Sequence, residues 1–399
     1  MRIFIIILFC LLQSIGISQI TRTYLCILRS NSQIDTLYDG TILPIFGITN
    51  SLSAYAKIPA KTLYAELGDS VVLETRSISQ GEHHTIHLHG LDVDTRNDGD
   101  PATSFWLEHM EDTTYSFNAT NTGLYIYHCH AADVVHVEMG MYGMIVVTSH
   151  NGTNYEMWPN GPIYHNAYNW LLSELDSSWN YNPPFHDPIM DTVHIPEYNP
   201  SHFLINGQGN QELLSNDSIR ITGNVNEYLV LRIGSIGYTT NRIVFPTGLN
   251  HEILMSDGRP LPNALIEDTL YLMPGERYEI RMLASDTLLD SIQVFYDNMN
   301  TGLNYGSWKV PVDIKGVLDV SEINSEHVNI FPNPAENFLY INSENSFSFK
   351  IIDIAGKYLF GSEILSADLR LDLCELKSGV YFINLEFESG IKSFKFVKK

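Results

Sequence analysis

Eight of the chain's 15 histidines fall between His83 and His136, and seven of those eight lie in the runs HHTIHLHG (His83 to Gly90) and YHCHAADVVHVEMGMYG (Tyr127 to Gly143). Imidazole, thiolate and thioether groups are the side chains that bind borderline and soft transition metals. The parity of an extended chain decides how they are shared, because successive side chains point to opposite faces. In HTIHLH, His87 and His89 share one face and His84 takes the other; in HCH, His128 and His130 share a face and Cys129 takes the other. Two such segments side by side gather His87, His89, His128 and His130 on one side. His84 meets Cys129 on the opposite side, where the following loop brings His136 and Met141.

Two metal environments therefore share one strand. Two imidazoles, a thiolate and a weak thioether are the ligand set of a blue-copper electron-transfer centre. The all-imidazole set suits copper that binds and reduces oxygen. Residues 128–130 supply a short covalent bridge between them. Met139 competes with Met141 for the thioether role, and the Gly-Met-Tyr-Gly turn favours Met141. Zinc is the rival metal, but zinc seldom recruits methionine, and structural zinc uses more thiolates.

Short strands must position these groups. TLYAELGDSVVLETRSIS (Thr62 to Ser79) reads as strand, Gly-Asp turn, strand, and TTYSFNATNTGLYIYHCH repeats the shape across Asn-Thr-Gly. No long amphipathic helix interrupts the pattern, which predicts Greek-key β-sandwiches. The expected division is an export signal over 1–18, a copper-binding domain over 19–150, and a second β-rich domain over 160–315. A polar connector over 316–327 and a small C-terminal β-sandwich over 328–399 follow. Nothing in the last block looks catalytic.

The 399 residues carry a net charge of -23, from 46 acidic against 23 basic side chains, which argues against nucleic acid or an anionic membrane as partner. Arg2 followed by the apolar run Ile3 to Leu12 reads as a secretory signal cleaved near Ser18, too short to span a bilayer, and no later stretch is long enough. Beyond the signal, Cys26, Cys129 and Cys374 are an odd number, so a disulfide framework is not expected. Cys26 and Cys374 are read as buried free thiols.

HHTIHLHG and YHCHAADVVHVEMGMYG resemble the copper-rich domain of multicopper oxidases, including the small two-domain laccases. The resemblance implies cupredoxin folds, His84, Cys129, His136 and Met141 as type 1 copper ligands, and His87, His89, His128 and His130 at a type 2/type 3 cluster. Asp98, in NDGDPATS, matches an aspartate the family associates with proton supply to oxygen. FLINGQ, SDGRPL and PGERYEI in the second block are similar to a further cupredoxin domain. FPNPAENFLYI, IIDIAGKYL, GVYFI and the basic ending resemble the type IX secretion sorting domain of Bacteroidetes. That resemblance implies handling by the secretion machinery of a Gram-negative cell and passage through the periplasm to its surface or medium.

The chain also departs from the family. A complete trinuclear cluster there uses eight histidines, twice the four assigned to it here, whereas the second block has no His-x-His, only isolated His165, His186, His194, His202 and His251. A twofold dimer joining two first domains, a separate partner, or fewer coppers would each reconcile the difference. The leading expectation is a laccase-like oxidase, taking single electrons from a phenolic or low-valent metal-ion donor and passing them to O2. The alternatives are a copper nitrite reductase, although Phe295 to Leu303 lacks the histidine it would need, and a non-enzymatic blue-copper carrier.

Overall fold

A computed structural model of the chain describes residues 20–149, 155–183, 186–187, 192–193, 196–316, 328–354, 356–387 and 390–399. The expected export signal, most of the expected connector and His194 lie outside the described residues. Alternating apolar and polar residues between Gly, Asn and Asp turns build strands almost throughout, and among the described residues the longest helix has six residues. No helix among them is long and apolar enough to cross a membrane. The chain forms two compact units, one ending at Gly316 and one beginning at Val317.

The first unit opens with a β-sandwich made of β1 (Thr21–Thr36), β2 (Ile42–Thr49), β3 (Leu63–Glu66), β4 (Ser70–Ser77), β5 (His87–His89), β6 (Asp112–Asn118), β7 (Gly123–His128), the helix α1 (Asp133–Glu138) and β8 (Tyr142–Thr148). One sheet has the order β2-β1-β4-β6 and the other β3-β8-β7-β5. The Gly-Asp turn between β3 and β4 and the Asn-Thr-Gly turn between β6 and β7 thus carry the chain from one sheet to the other; neither closes a hairpin. Gly68, at φ +94, makes the first crossing in a conformation that disfavours a Cβ.

The described residues between 166 and 315 form a second sandwich in the same unit. Its six-stranded sheet runs His202–Ile205, Asn166–Leu175, Tyr228–Ser235, Arg277–Ala284, Leu249–Ser256, Arg259–Leu265 in spatial order, and a five-stranded sheet covers it.

β7 and β8 are buried on both faces. Tyr125, Tyr127, Ile145 and Val147 fill the first sandwich's own core. Leu124, Ile126, Tyr142, Met144 and Val146 pack against Leu171, Leu175, Leu204 and Ile236 of the second sandwich. This accounts for the nearly continuous apolar sequence of both strands. Cutting one of these aliphatic side chains to alanine costs about 2–5 kcal/mol. Parity then fixes the geography: even positions of β7 face the second sandwich and odd positions face the first core.

The described residues of the second unit form a five-stranded antiparallel β structure around Leu339, Ile341, Phe347, Phe349, Ile351 and Phe396, with register shifts where its long strands Phe338–Asp353 and Tyr358–Asp372 pair. Cys26 is buried as expected, but Cys374 is exposed. It sits in a turn where its backbone N–H donates to Asp372 Oδ1 at 2.9 Å, which corrects the expectation of a buried thiol.

Candidate metal centres

β5 and β7 run antiparallel with His87 opposite His128 and His89 opposite Ile126. Both histidines of β5 therefore share the even face of β7, toward the second sandwich. β7 stops at His128, so the expected strand through HCH ends one residue in; the Cys129 N–H still donates to the Met141 carbonyl at 3.0 Å. His84 likewise precedes β5 and is held by paired backbone bonds to Leu107.

The segment expected as a plain loop after Cys129 contains α1. Ala132, at φ 49, reverses the chain so that the short helix brings His136 back over Cys129. The Met141 N–H then donates to the His136 carbonyl at 2.9 Å. Cys129 Sγ lies 3.1 Å from His136 Nδ1 and 3.7 Å from His84 Nδ1. All three residues are buried. The second ring nitrogens are engaged too, His84 Nε2 at 2.7 Å from Ser79 Oγ and His136 Nε2 at 3.6 Å from Glu82 Oε2. The Thr85 N–H points at Cys129 Sγ from 3.4 Å. Met141 is fully buried in the same apolar cluster as Cys129, whereas Met139 turns its sulfur toward Asn180 Nδ2 at 3.8 Å.

Burial opposes ionisation of the Cys129 thiol, but His136 and His84 outweigh it and hold the thiol well below its ordinary range. Burial likewise disfavours charge on His136, yet Cys129 and then Glu82 raise it to about 9. Two nitrogens and a soft thiolate in a dry pocket suit copper and do not suit an oxygen-seeking cation.

On the other face, His87, His89 and His128 each offer a ligand atom, all within 4.8 Å of one another. The His130 ring stands 5.0 Å from that of His87 and 5.7 Å from that of His128, beside that group and outside it. His87 Nδ1 donates to the Asp98 carbonyl at 2.7 Å and His128 Nδ1 to the Cys129 carbonyl at 3.0 Å, leaving Nε2 of each ring available to an ion. The Asp98 carboxylate lies 3.4 Å from His87 Nδ1. Burial lowers His128 to about 3, and burial followed by the Arg277 charge lowers His89 to about 4, so both rings are neutral, the form that ligates metal.

Glu82, Ser79, Gly275 and Arg277 were not singled out by sequence. Glu82 directly precedes the histidine run, but its approach to His136 depends on α1. Of the isolated histidines in the second sandwich, His165 stacks on Tyr228, His202 Nε2 lies 3.3 Å from Asp39, and His251 is held by the Leu249 and Glu267 carbonyls.

A profile of the multicopper oxidase family matches residues 47–152, the segment that holds both clusters. The chain carries a multicopper oxidase domain. Over 97 residues the chain is 34% identical to the copper-containing nitrite reductase of Neisseria meningitidis serogroup A, covering 24% of each chain. Over 91 residues it is 31% identical to copper resistance protein A of Escherichia coli, covering 23% of this chain and 14% of that one. The chain thus spans a quarter or less of the length of these curated relatives.

Solved structures extend the likeness of fold. Blue copper oxidase from Nitrosomonas europaea superposes with a TM-score of 0.57 at 23% identity, over 74% of this chain and 86% of that one. The multicopper oxidase mgLAC gives 0.56 at 20%, over 74% and 86%. Copper nitrite reductase from Nitrosomonas europaea gives 0.51 at 14%, over 75% and 95%. The sandwiches of the first unit are accordingly cupredoxin-like. A second profile, the secretion system C-terminal sorting domain, matches residues 329–399. This type IX sorting domain marks the protein for export to the cell surface or medium.

Proposed function

We propose that the protein is a laccase-like copper oxidase, exported through the periplasm of a Gram-negative cell. His84, Cys129, His136 and Met141 would hold a type 1 copper, and His87, His89, His128 and His130 would hold type 2/type 3 copper. Copper bound in these two sets supplies one-electron transfer and reduction of O2. One observation carries the reading: a thiolate pocket and an imidazole cluster occupy opposite faces of one strand end and share residues 128–130.

The chain's own residues fit that task. Backbone continuity from Cys129 to His128 and His130 joins the two ligand sets by a few covalent bonds. His136 is 2% exposed, and Glu82, partly open to solvent, meets its outer nitrogen. An electron donor therefore meets a carboxylate before it meets the imidazole, which favours a phenolic hydroxyl or a low-valent metal cation. Asp98 orients His87 through its carbonyl and keeps a carboxylate beside the same ring, where it would hold a proton for oxygen chemistry. The imidazole cluster is half of a trinuclear ligand set, and the His87 side chain is 18% exposed at its edge. A second copy of the chain completing the set, as a homo-oligomer, follows from that half-built edge.

A second reading, copper nitrite reductase, is favoured by the three-imidazole group that leaves His130 outside, and by the local likeness to nitrite reductases. Copper per chain, with oxygen uptake on phenols, Cu(I) and Fe(II) beside a nitrite assay, separates the readings. More than two coppers per chain with oxygen consumption supports the oxidase; two with nitrite turnover supports the reductase; one without either activity leaves an electron carrier and sinks both enzymes.

A further inference from the structure

The second sandwich reaches the imidazole cluster through the Pro274-Gly275-Glu276-Arg277 turn that opens the strand Arg277–Ala284. Gly275, at φ +85, is fixed by its N–H to the Ser235 carbonyl at 2.8 Å. A Cβ there would stand 3.1 to 3.2 Å from the His89 ring, and the Gly275 carbonyl hydrogen-bonds that ring. Arg277 Nη1 donates to the same carbonyl at 2.7 Å and lies 2.9 Å from Asp257 Oδ1. Its Nε reaches the Leu124 carbonyl of β7 at 3.4 Å. The Arg277 side chain is 5% exposed. Asp257 also receives the Arg277 N–H at 3.2 Å, so one carboxylate grips the residue at both ends.

On the first sandwich, Gly90 follows His89 at φ +87, and a Cβ there would stand 2.0 Å from Arg277 Nη2. The guanidinium thus occupies the space a side chain at position 90 would fill. A carbonyl oxygen has two lone pairs and can accept from the guanidinium and the imidazole together. His87 and His128 take their orientation from carbonyls of the first sandwich, whereas His89 takes its orientation from the second.

The geometry points to Gly275 and Arg277 as positioning residues for the copper cluster: the Gly275 carbonyl sets the His89 ring, and Arg277 locks that carbonyl between Asp257, β7 and Gly90. This rests on the reading of the imidazole group as a copper site. It gives the second sandwich a part in metal binding without any ligand of its own at the cluster among the described residues.

The test is Cu(II) titration of the copper-free full-length chain. Occupancy at Cys129 is followed by thiolate-to-copper absorption, and occupancy at the imidazoles by the electron paramagnetic signal that lacks this band. Arg277→Gln is expected to weaken the imidazole site by about 10–100-fold, the usual effect of removing a partner that orients a metal-binding histidine. Its hyperfine splitting should change while the thiolate site keeps its affinity and absorption. Arg277→Lys keeps the charge but has one donor head where the fork had several, and is expected to fall between Arg277→Gln and the parent. Parent-like affinity and splitting in both variants overturns the proposal. Should Arg277→Gln fail to fold, Arg277→Lys decides alone: a weakened imidazole site with an intact thiolate site supports positioning, and parent-like binding overturns it. His89→Gln is the control. If it leaves the imidazole site unchanged, the copper reading of that cluster fails and the proposal with it; if only the Arg277 variants are silent, the proposal alone fails.

Discussion

Glu82 Oε2 lies 3.6 Å from Nε2 of His136, whose other ring nitrogen is 3.1 Å from Cys129 Sγ. A single imidazole thus links a partly exposed carboxylate to a buried thiolate. If donors approach through Glu82, Glu82→Gln lowers kcat/KM for Fe(II) or Cu(I) about tenfold, the effect of ~1.4 kcal/mol. A neutral phenol, needing only a hydrogen-bond acceptor, should lose much less. Steady-state kinetics with both donor types checks this, and equal losses would remove Glu82 from the donor path.

The two methionines of the ligand loop are physically unlike. Met141 shares the buried cluster of Cys129, whereas the Met139 sulfur is 3.8 Å from Asn180 Nδ2. With a weak thioether tuning the copper, Met141→Leu should keep the blue absorption and raise the reduction potential. Met139→Leu should leave the potential in place. Redox titration of both variants decides, and a shift in Met139→Leu alone would reverse the assignment.

Alternation made much of this arrangement legible. That His87, His89 and His128 share one face follows from parity on two neighbouring strands, and the apolar runs of β7 and β8 announce elements buried on two faces. Turn residues marked where strands end, but not that the Gly-Asp and Asn-Thr-Gly turns cross between sheets, because partner choice is a long-range matter. α1 escaped because six residues are too few for a helical period to declare itself. Glu82 and Arg277 escaped for a related reason: each acts on a residue far along the chain, and although PGERYEI marked the segment around Arg277, nothing in the sequence ties either charge to a particular histidine.

Gly99 shows how closely β5 is fitted. It has φ +77, and a Cβ there would stand 1.9 Å from the Ile86 carbonyl oxygen, a backbone atom with nowhere to go. Gly99→Ala should therefore cost about 1–3 kcal/mol. It should also displace the neighbouring Asp98 carbonyl that orients His87, weakening copper at the imidazoles more than at Cys129. Urea unfolding and copper titration together check this. A stability loss that weakens both sites equally would mean that the Asp98 carbonyl has no separate role.

Glu174 gives the fold a pH dependence away from either metal cluster. It is the penultimate residue of the strand Asn166–Leu175, buried, and accepts hydrogen bonds from the Tyr238 and Thr239 N–H groups and the Thr239 hydroxyl. Burial outweighs these bonds and raises its carboxyl from 4.5 to about 7. The folded state then binds a proton that the unfolded state releases between these values. The contribution of Glu174 is present in full below pH 4.5 and lost as pH rises through about 7. Its slope approaches about 1.4 kcal/mol per pH unit. Glu174→Gln keeps the shape and an acceptor for the Tyr238 and Thr239 N–H groups, while its amide can donate to the Thr239 hydroxyl, so it should stabilise the protein above pH 7 relative to the parent and flatten this part of the profile. Urea midpoints of both proteins across that range measure the difference, and parallel profiles would show that Glu174 stays ionised in the folded state.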